Sequence, residues 1–208
     1  VWSDDETSWV DVRKSPERSR DLACCAGASI SADGNYMAAI SQSGDVWLFN
    51  KNNNTVVWSY ETTSASHDGL IEISANGNYI VVGIDDDIIL FRKDNNTPIW
   101  THDNSNDENP AAIALSSNGD YIVVGSEDNN LYLFHKSSNS PLWSYDADDD
   151  VKAVSISADG NYIVGSTSYE TDKLYLFNKD SSTPLWSYTL LSGTNKNDLD
   201  ISADGKYI

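Results

Sequence analysis

Two short runs of aspartate are the residues whose type and spacing come closest to a chemical site. Asp85–Asp87 and Asp148–Asp150 each place three carboxylates in succession, and Ca²⁺ prefers several oxygen ligands from one tight loop. Neither run has the D-x-[DN]-x-[DN]-G spacing of a dedicated calcium loop, or the glutamate that completes it. We therefore predict no metal or cofactor site, with weak calcium binding as the alternative.

The other groups that could do chemistry do not form a catalytic arrangement. Cys24 and Cys25 are adjacent, so they lack the spacer and the further ligands of a metal or thiol site. His67, His102 and His135 have no nucleophile partner that the spacing identifies. The sequence contains no Gly-x-Ser-x-Gly, no His-Glu-x-x-His and no phosphate-cradling glycine loop. We predict that the protein has no catalytic residues and is not an enzyme.

The charge of the chain excludes one class of partner. The formal net charge is −19 and the pI is about 4.1, whereas nucleic-acid binding needs a basic footprint. The sequence contains no apolar run near the roughly 18 residues of a membrane span, so no membrane insertion is expected. Two glycan-acceptor patterns begin at Asn53 and Asn95. Together with the acidity, they favour a secreted or cell-surface protein.

A repeat of 41 to 45 residues organises the chain. An Asp-Gly or Asn-Gly pair marks each copy at Gly34, Gly77, Gly119, Gly160 and Gly205. Tryptophan recurs at Trp58, Trp100, Trp143 and Trp186, and tyrosine recurs just after the glycine at Tyr36, Tyr79, Tyr121, Tyr162 and Tyr207. A fixed period of this size predicts stacked supersecondary units, and residues that recur at one position are expected to serve packing within them.

Residues 110–146 show what one copy is expected to form. The apolar run AAIAL leads to a turn at Asn118-Gly119, and YIVVGS leads to the polar turn EDNN. LYLFHK follows, SSNSP breaks the chain, and LWSYD closes the copy. Four short antiparallel strands without a helical period match a β-propeller blade, whose strands we name a to d from the axis outward.

The sequence thus predicts one all-β domain over residues 1–208, a β-propeller of four-stranded antiparallel blades with repeats of about 42 residues. Residues 1–23 are interpreted as the closing strand of a preceding blade and a long loop. The predicted blades span 24–60, 67–103, 110–146 and 151–189, and 196–208 begin a truncated blade. This arrangement indicates a fragment with four full blades and partial ones. Its open blade edges favour a homo-oligomer.

Two parts of the repeat resemble known propeller families. Segments such as SADGNYIV (157–164) resemble the blades of WD-repeat-like propellers, and LYLF with PLWSY (174–177, 184–188) resembles quinoprotein (PQQ)-type blades, in which a tryptophan closes each blade. The resemblance covers residues 24–208. It implies the propeller fold, while functions differ widely among proteins that share it.

One face of such a propeller is expected to be strongly negative. The b–c and d–a loops emerge on the same face, and more than half of the 32 acidic residues fall in them. His67 and His102 are expected in d–a loops, and His135 at the opposite end of a strand. The predicted acidic binding rim consists of Asp85, Asp86, Asp87, Glu127, Asp128, Asp148, Asp149 and Asp150.

Two functions are compatible with these features. The first is a non-enzymatic scaffold that presents variable acidic loops for protein or glycan recognition, because the b–c loops differ between copies while the strands hardly do. The second is a quinoprotein-like, PQQ-dependent dehydrogenase with calcium at the axis, whose cofactor residues lie in blades outside this sequence. The four copies show no cofactor-holding side chains at the strand-a ends, which favours the scaffold.

Overall fold

The computed structural model describes residues 25–52, 55–62, 69–103, 109–167, 172–190 and 198–208. Those residues form sixteen β-strands. The strands are β1 Cys25–Ile30, β2 Tyr36–Ser41, β3 Val46–Asn50, β4 Val56–Tyr60, β5 Leu70–Ile73, β6 Tyr79–Ile84, β7 Asp87–Arg92, β8 Trp100–Asp103, β9 Pro110–Leu115, β10 Tyr121–Ser126, β11 Asn130–His135, β12 Trp143–Asp146, β13 Val151–Ile156, β14 Tyr162–Thr167, β15 Lys173–Asn178 and β16 Trp186–Thr189.

The strands form four antiparallel sheets of four strands each, and the predicted all-β propeller fold is confirmed. Each sheet pairs its strands in chain order, β1-β2-β3-β4 in the first and likewise in the other three, which we call blades 1 to 4. The first strands of successive blades contact one another, β1 with β5, β5 with β9 and β9 with β13. These four strands therefore lie innermost. Predicted features within residues 1–24, together with Asn53 and His67, lie outside the described residues.

The turn between strands a and b explains the recurring Ser-x-Asp/Asn-Gly sequence. In blade 1 the buried Ser31 hydroxyl accepts a hydrogen bond from the Tyr36 amide at 3.0 Å and donates to Asp33 Oδ1 at 2.7 Å. Gly34 has φ +65°, a left-handed conformation that suits glycine. Asp33 also accepts from the Asn35 amide. This bonding fixes the turn before strand b begins.

Alternate residues of each strand face opposite neighbours, so every blade has a rear face toward the preceding blade and a forward face toward the following one. In blade 2, Ile80 and Val82 pack back against blade 1, while Val81 and Leu90 pack forward against blade 3. All four side chains are fully buried. The core therefore lies between the blades.

The same contacts build each junction between two complete blades. At the first junction, the Trp58 indole lies 5.4 Å from the Phe91 ring and donates its Nε1–H to the Lys93 carbonyl at 2.9 Å. Tyr36 lies so close to Gly77 that an added Cβ would sit 3.1 Å from its ring. The indole bond recurs from Trp100 to Lys136 at 2.9 Å and from Trp143 to Lys179 at 2.7 Å. The recurring tryptophans and tyrosines thus join blades, in keeping with the packing role expected from their repetition.

Residues 198–208 repeat the sequence of strand a and its turn and pack on the forward face of blade 4, where they form the turn but no strand. Leu199 and Ile201 pack against Val164 and Leu176. The Ala158 amide donates to the Ala203 carbonyl at 3.0 Å, as turn amides of earlier blades do toward the next turn. This segment, which we call the fifth segment, covers the inner part of that face.

Candidate functional site

The predicted acidic rim lies on loops at one end of the blades. Asp85 and Asp86 form the β6–β7 turn, and Asp87 begins β7. Glu127 and Asp128 lie in the β10–β11 turn. Asp148, Asp149 and Asp150 lie in the connection from β12 to β13. All of these side chains except Asp148 are buried or half-buried, so the rim is a partly enclosed surface.

Lys152 brings two of these loops together. Its Nζ lies 2.6 Å from Glu127 Oε1 and 3.1 Å from Asp150 Oδ2. Burial by itself would lower the pKa of Lys152, but hydrogen bonds to the two carboxylates raise it above its ordinary value. The pairing between β13 and β14 shifts register between Val151 and Ala153, so Lys152 stands in an irregular position at the start of the strand. This cross-loop contact could not be predicted from the sequence, because Glu127 and Lys152 are 25 residues apart and the register shift at Lys152 has no sequence pattern of its own.

The aspartates of blade 2 form a second group. The pKa of Asp87 is raised, first by burial and then by the charges of Asp86, Asp103 and Asp85, while His102 acts in the opposite direction. Asp103 is the cross-strand neighbour of Asp87 in the register of β7 and β8. Like charges held this close are mutually destabilising. The charges of the neighbouring aspartates therefore disfavour the ionised form of Asp87.

The sequence predicts that His102 lies in a d–a loop, and this prediction is wrong. Strand β8 extends through His102 to Asp103. Its ring packs edge-on against Phe134 at 4.9 Å, and its Nδ1 donates to the Asn139 carbonyl at 2.8 Å. Tyrosines hold the equivalent strand position in blades 1 and 3, at Tyr60 and Tyr145. His102 thus joins blade 2 to blade 3.

Several rim carboxylates hold their own loops in shape. Asp128 accepts hydrogen bonds from the Asn130 amide at 2.9 Å and from the Tyr132 hydroxyl. Asp149 is 6% exposed and accepts from the Asp150 amide. The Asp148 amide donates to Asp146 Oδ1, and Asp148 itself has φ +61°. These carboxylates fix a rigid frame around the more accessible ones.

Inner-strand carboxylates form a feature that the sequence interpretation missed. Ser29 on β1 accepts from the Ile73 amide at 3.2 Å and donates to Glu72 Oε2 at 2.8 Å. Ser155 makes the matching contact with Asp200 at 3.1 Å. Burial raises the pKa of Glu72, although the Ser29 hydrogen bond acts against it. Both carboxylates stand five residues before a repeat glycine, and comparing that position across the copies would have found them.

Across the described ranges, no group of three or more His, Cys, Asp or Glu side chains is arranged to hold a metal ion. The part of the chain that the structure describes likewise includes no helix long and apolar enough to cross a membrane. That the whole chain has no metal or cofactor site stays a prediction. The prediction that it has no catalytic residues and is not an enzyme also stays a prediction.

Comparisons with known proteins place the chain among propellers. Two solved structures are similar to it: a chain of a mitotic checkpoint complex, with TM-score 0.71 and 15% identity over 82% of this chain, and one of Kuenenia stuttgartiensis hydrazine synthase, with TM-score 0.75 and 17% identity over 93%. The protein spans 55% and 56% of those two chains. A comparison with curated proteins found no match.

A family model described as outer membrane protein assembly factor BamB, of the PQQ-like repeat type, matches residues 84–198. The match runs from the end of β6 to beyond β16, so it covers the two outer strands of blade 2 and all strands of blades 3 and 4. It confirms the expected resemblance to PQQ-like blades, and the two structural similarities confirm the propeller fold. Because the family model matches more than half of the residues of this chain, the chain belongs to the PQQ-like propeller family described as outer membrane protein assembly factor BamB.

Proposed function

We propose that the protein is a non-catalytic propeller scaffold whose acidic rim binds a basic segment of a protein partner. The observation that carries the proposal is the different charge pairing at the two ends of the blades. At the end opposite the rim, aspartates have a lysine beside them. These pairs are Asp94 with Lys93 at 3.1 Å, Asp120 with Lys136 at 2.5 Å, Asp180 with Lys179 at 2.6 Å and Asp204 with Lys206 at 2.9 Å.

At the rim, the described ion pairs centre on Lys152, and the charges of Asp85 and Asp86 disfavour the ionised form of Asp87. A surface with clustered like charge attracts oppositely charged ligands and speeds their association. The hydrogen bonds that Asp128 and Asp149 make within their own loops favour a preformed site, which reduces the entropy lost on binding.

The family description supports a binding role. It names an assembly factor, which is a role in bringing proteins together, and it names no reaction. A protein ligand with lysines and arginines fits the charge of the rim better than a neutral glycan does, because a neutral glycan gains nothing from the field. We therefore place the ligand among basic peptides.

The test is calorimetric titration of decalysine, a basic peptide probe, into the full chain at low salt. The rim variant D85N/D86N/D148N and the control D94N/D180N/D204N each remove three negative charges, the control from the opposite end. Asparagine tolerates the left-handed backbone of Asp85 and Asp148. We expect the rim variant to weaken binding at least fivefold and the control less than twofold. Equal weakening by both variants would show that net charge, rather than the rim, governs binding.

A further inference from the structure

Strand d forms the outer edge of each blade, and half of its main-chain groups point away from the sheet. Among the described strands, β12 of blade 3 pairs with β11 alone. The Ala147 amide, which directly follows β12, donates back to the Asn129 carbonyl at 2.8 Å. Main-chain groups of an edge strand alternate in direction, so the N–H and C=O groups of Ser144 and Asp146 point outward. Groups of this kind form a template for another strand.

An asparagine of the following blade covers this edge in blades 1 and 2. Asn96 Nδ2 donates to the Ser59 carbonyl at 2.7 Å, and Asn139 Nδ2 donates to the Thr101 carbonyl at 3.2 Å. Ser59 and Thr101 hold the strand position of Ser144, directly after the tryptophan of strand d. Each asparagine therefore occupies the acceptor that an added strand would need.

Blade 3 lacks this cover because the asparagine is replaced. Asn96, Asn139 and Ser182 each stand four residues before the tryptophan of their own strand d. The serine side chain is shorter and has no amide group. In the described part of the chain, the side-chain bonds to this carbonyl position are those of Asn96 and Asn139. The outer edge of blade 3 is therefore open where the edges of blades 1 and 2 are covered.

A carboxylate stands beside the open edge. Three residues after the tryptophan of strand d, the four copies have Glu61, Asp103, Asp146 and Thr189. Asp146 is exposed, and its Oδ1 accepts a hydrogen bond at 3.0 Å from the amide of Asp148, an exposed rim residue. Among the described blades, blade 3 thus combines an acidic residue with an uncovered edge, whereas blade 4 has a threonine at that position.

We propose that an extended segment of a protein partner binds blade 3 by pairing with β12 as an added antiparallel strand. Main-chain hydrogen bonds to Ser144 and Asp146 hold the segment, and a lysine or arginine opposite Asp146 pairs with its carboxylate. An apolar residue between these two positions lies beside the half-buried Tyr145 ring. The inference rests on the proposed function for the basic character of the partner, and it adds where and how that partner docks.

The experiment follows the amide signals of the full ¹⁵N-labelled chain by NMR during titration with the peptide acetyl-Thr-Lys-Val-Thr-Val-Thr-amide. We expect the Ser144 and Asp146 signals to move, because both N–H groups gain an acceptor. A peptide N-methylated at its lysine and at the threonine two residues later loses the amides that face β12 and should bind at least about fivefold more weakly. N-methylation at the two valines, whose amides face away, should change the affinity less than about twofold. Equal binding of the two N-methylated peptides overturns strand pairing, whether or not the rim binds decalysine.

Two variants of the chain test the cover. Ser182→Asn restores the side chain that Asn96 and Asn139 provide, and it is expected to weaken binding of the unmodified peptide at least about fivefold. The control Ser181→Asn introduces the residue that blade 2 has at Asn95. Because Ser181 and Asn95 both accept from the amide two residues later, the control should fold and bind like wild type. Binding that Ser182→Asn leaves unchanged overturns the proposal.

The remaining outcomes separate this docking mode from its alternatives. Ser144 and Asp146 signals that move with protein concentration alone, before peptide is added, would assign the edge to a second copy of the chain and overturn the proposal. Strand pairing that survives both tests, together with equal weakening of decalysine binding by the two charge variants, would refute the rim and support the docking of the segment on β12.

Discussion

Substitution of Trp100 by phenylalanine tests whether the junctions hold the molecule together. Trp100 is 9% exposed, lies 5.7 Å from the Phe134 ring and donates to the Lys136 carbonyl at 2.9 Å. Loss of the hydrogen bond costs about 1 kcal/mol. The smaller ring leaves a space of roughly 40 Å³, which costs about another 1 kcal/mol at about 24 cal/mol per Å³.

The expected loss in the free energy of unfolding is therefore about 2 kcal/mol, or about 4–8 °C in Tm for a domain of this size. Urea unfolding followed by circular dichroism measures it, with the slope m compared between variants to check that the transition keeps its character. The control is W186F, since Trp186 is 41% exposed and its indole has no acceptor among the described residues. That variant should lose less than about 0.5 kcal/mol. Equal losses for W100F and W186F would refute the role of the indole bond.

Three further predictions concern separate parts of the fold. Gly119→Ala should lower the free energy of unfolding by about 3 kcal/mol, because Gly119 has φ +72° and the new Cβ would lie 2.6 Å from the Tyr79 ring. Gly34→Ala should lower it by about 1 kcal/mol, because Gly34 has φ +65° but open space around the new Cβ. Chemical unfolding of the two variants measures both losses. Burial raises the pKa of Glu72, so the folded state favours the protonated carboxyl, and this form is lost as pH rises through the raised pKa. E72Q should therefore have a higher Tm than wild type at pH 7 and no advantage below pH 4.5. Thermal unfolding across a pH series measures the difference, and a difference that does not change with pH would contradict this. Lys152→Ala should lower stability by about 1 kcal/mol at low salt and by less in 0.5 M NaCl, because Glu127 and Asp150 lose their shared partner; a loss that salt does not change would mean that packing is responsible.

The blade itself could be predicted from the sequence because its determinants are local. The Asp-Gly and Asn-Gly pairs mark the turns, and the predicted turn glycines Gly34 and Gly119 do have positive φ. The extent of strand d was less predictable. His102 was expected in a loop but lies in β8, because contacts with Phe134 and Asn139 of the next blade hold it there.

Contacts between copies could not be predicted, since a repeat period gives the order of the blades but not which side chains meet. Ser29 and Glu72 lie 43 residues apart. Comparing the position five residues before each repeat glycine finds both residues, but it does not show that one donates to the other. The Lys152 contact depends on a register shift that has no sequence pattern of its own. The rim residues were predicted by counting acids in loops, but their partial burial depends on how neighbouring loops fold over them.

The uniform junction has a consequence for how this molecule evolves. Each blade recognises its neighbours through the same few groups, such as the indole that reaches a lysine carbonyl one repeat ahead. A recombination event that inserts or deletes one whole repeat therefore leaves a working junction at the splice point. Stability in such arrays is set by each unit and its nearest neighbours. The gene can change its number of blades in single steps without first repairing the core.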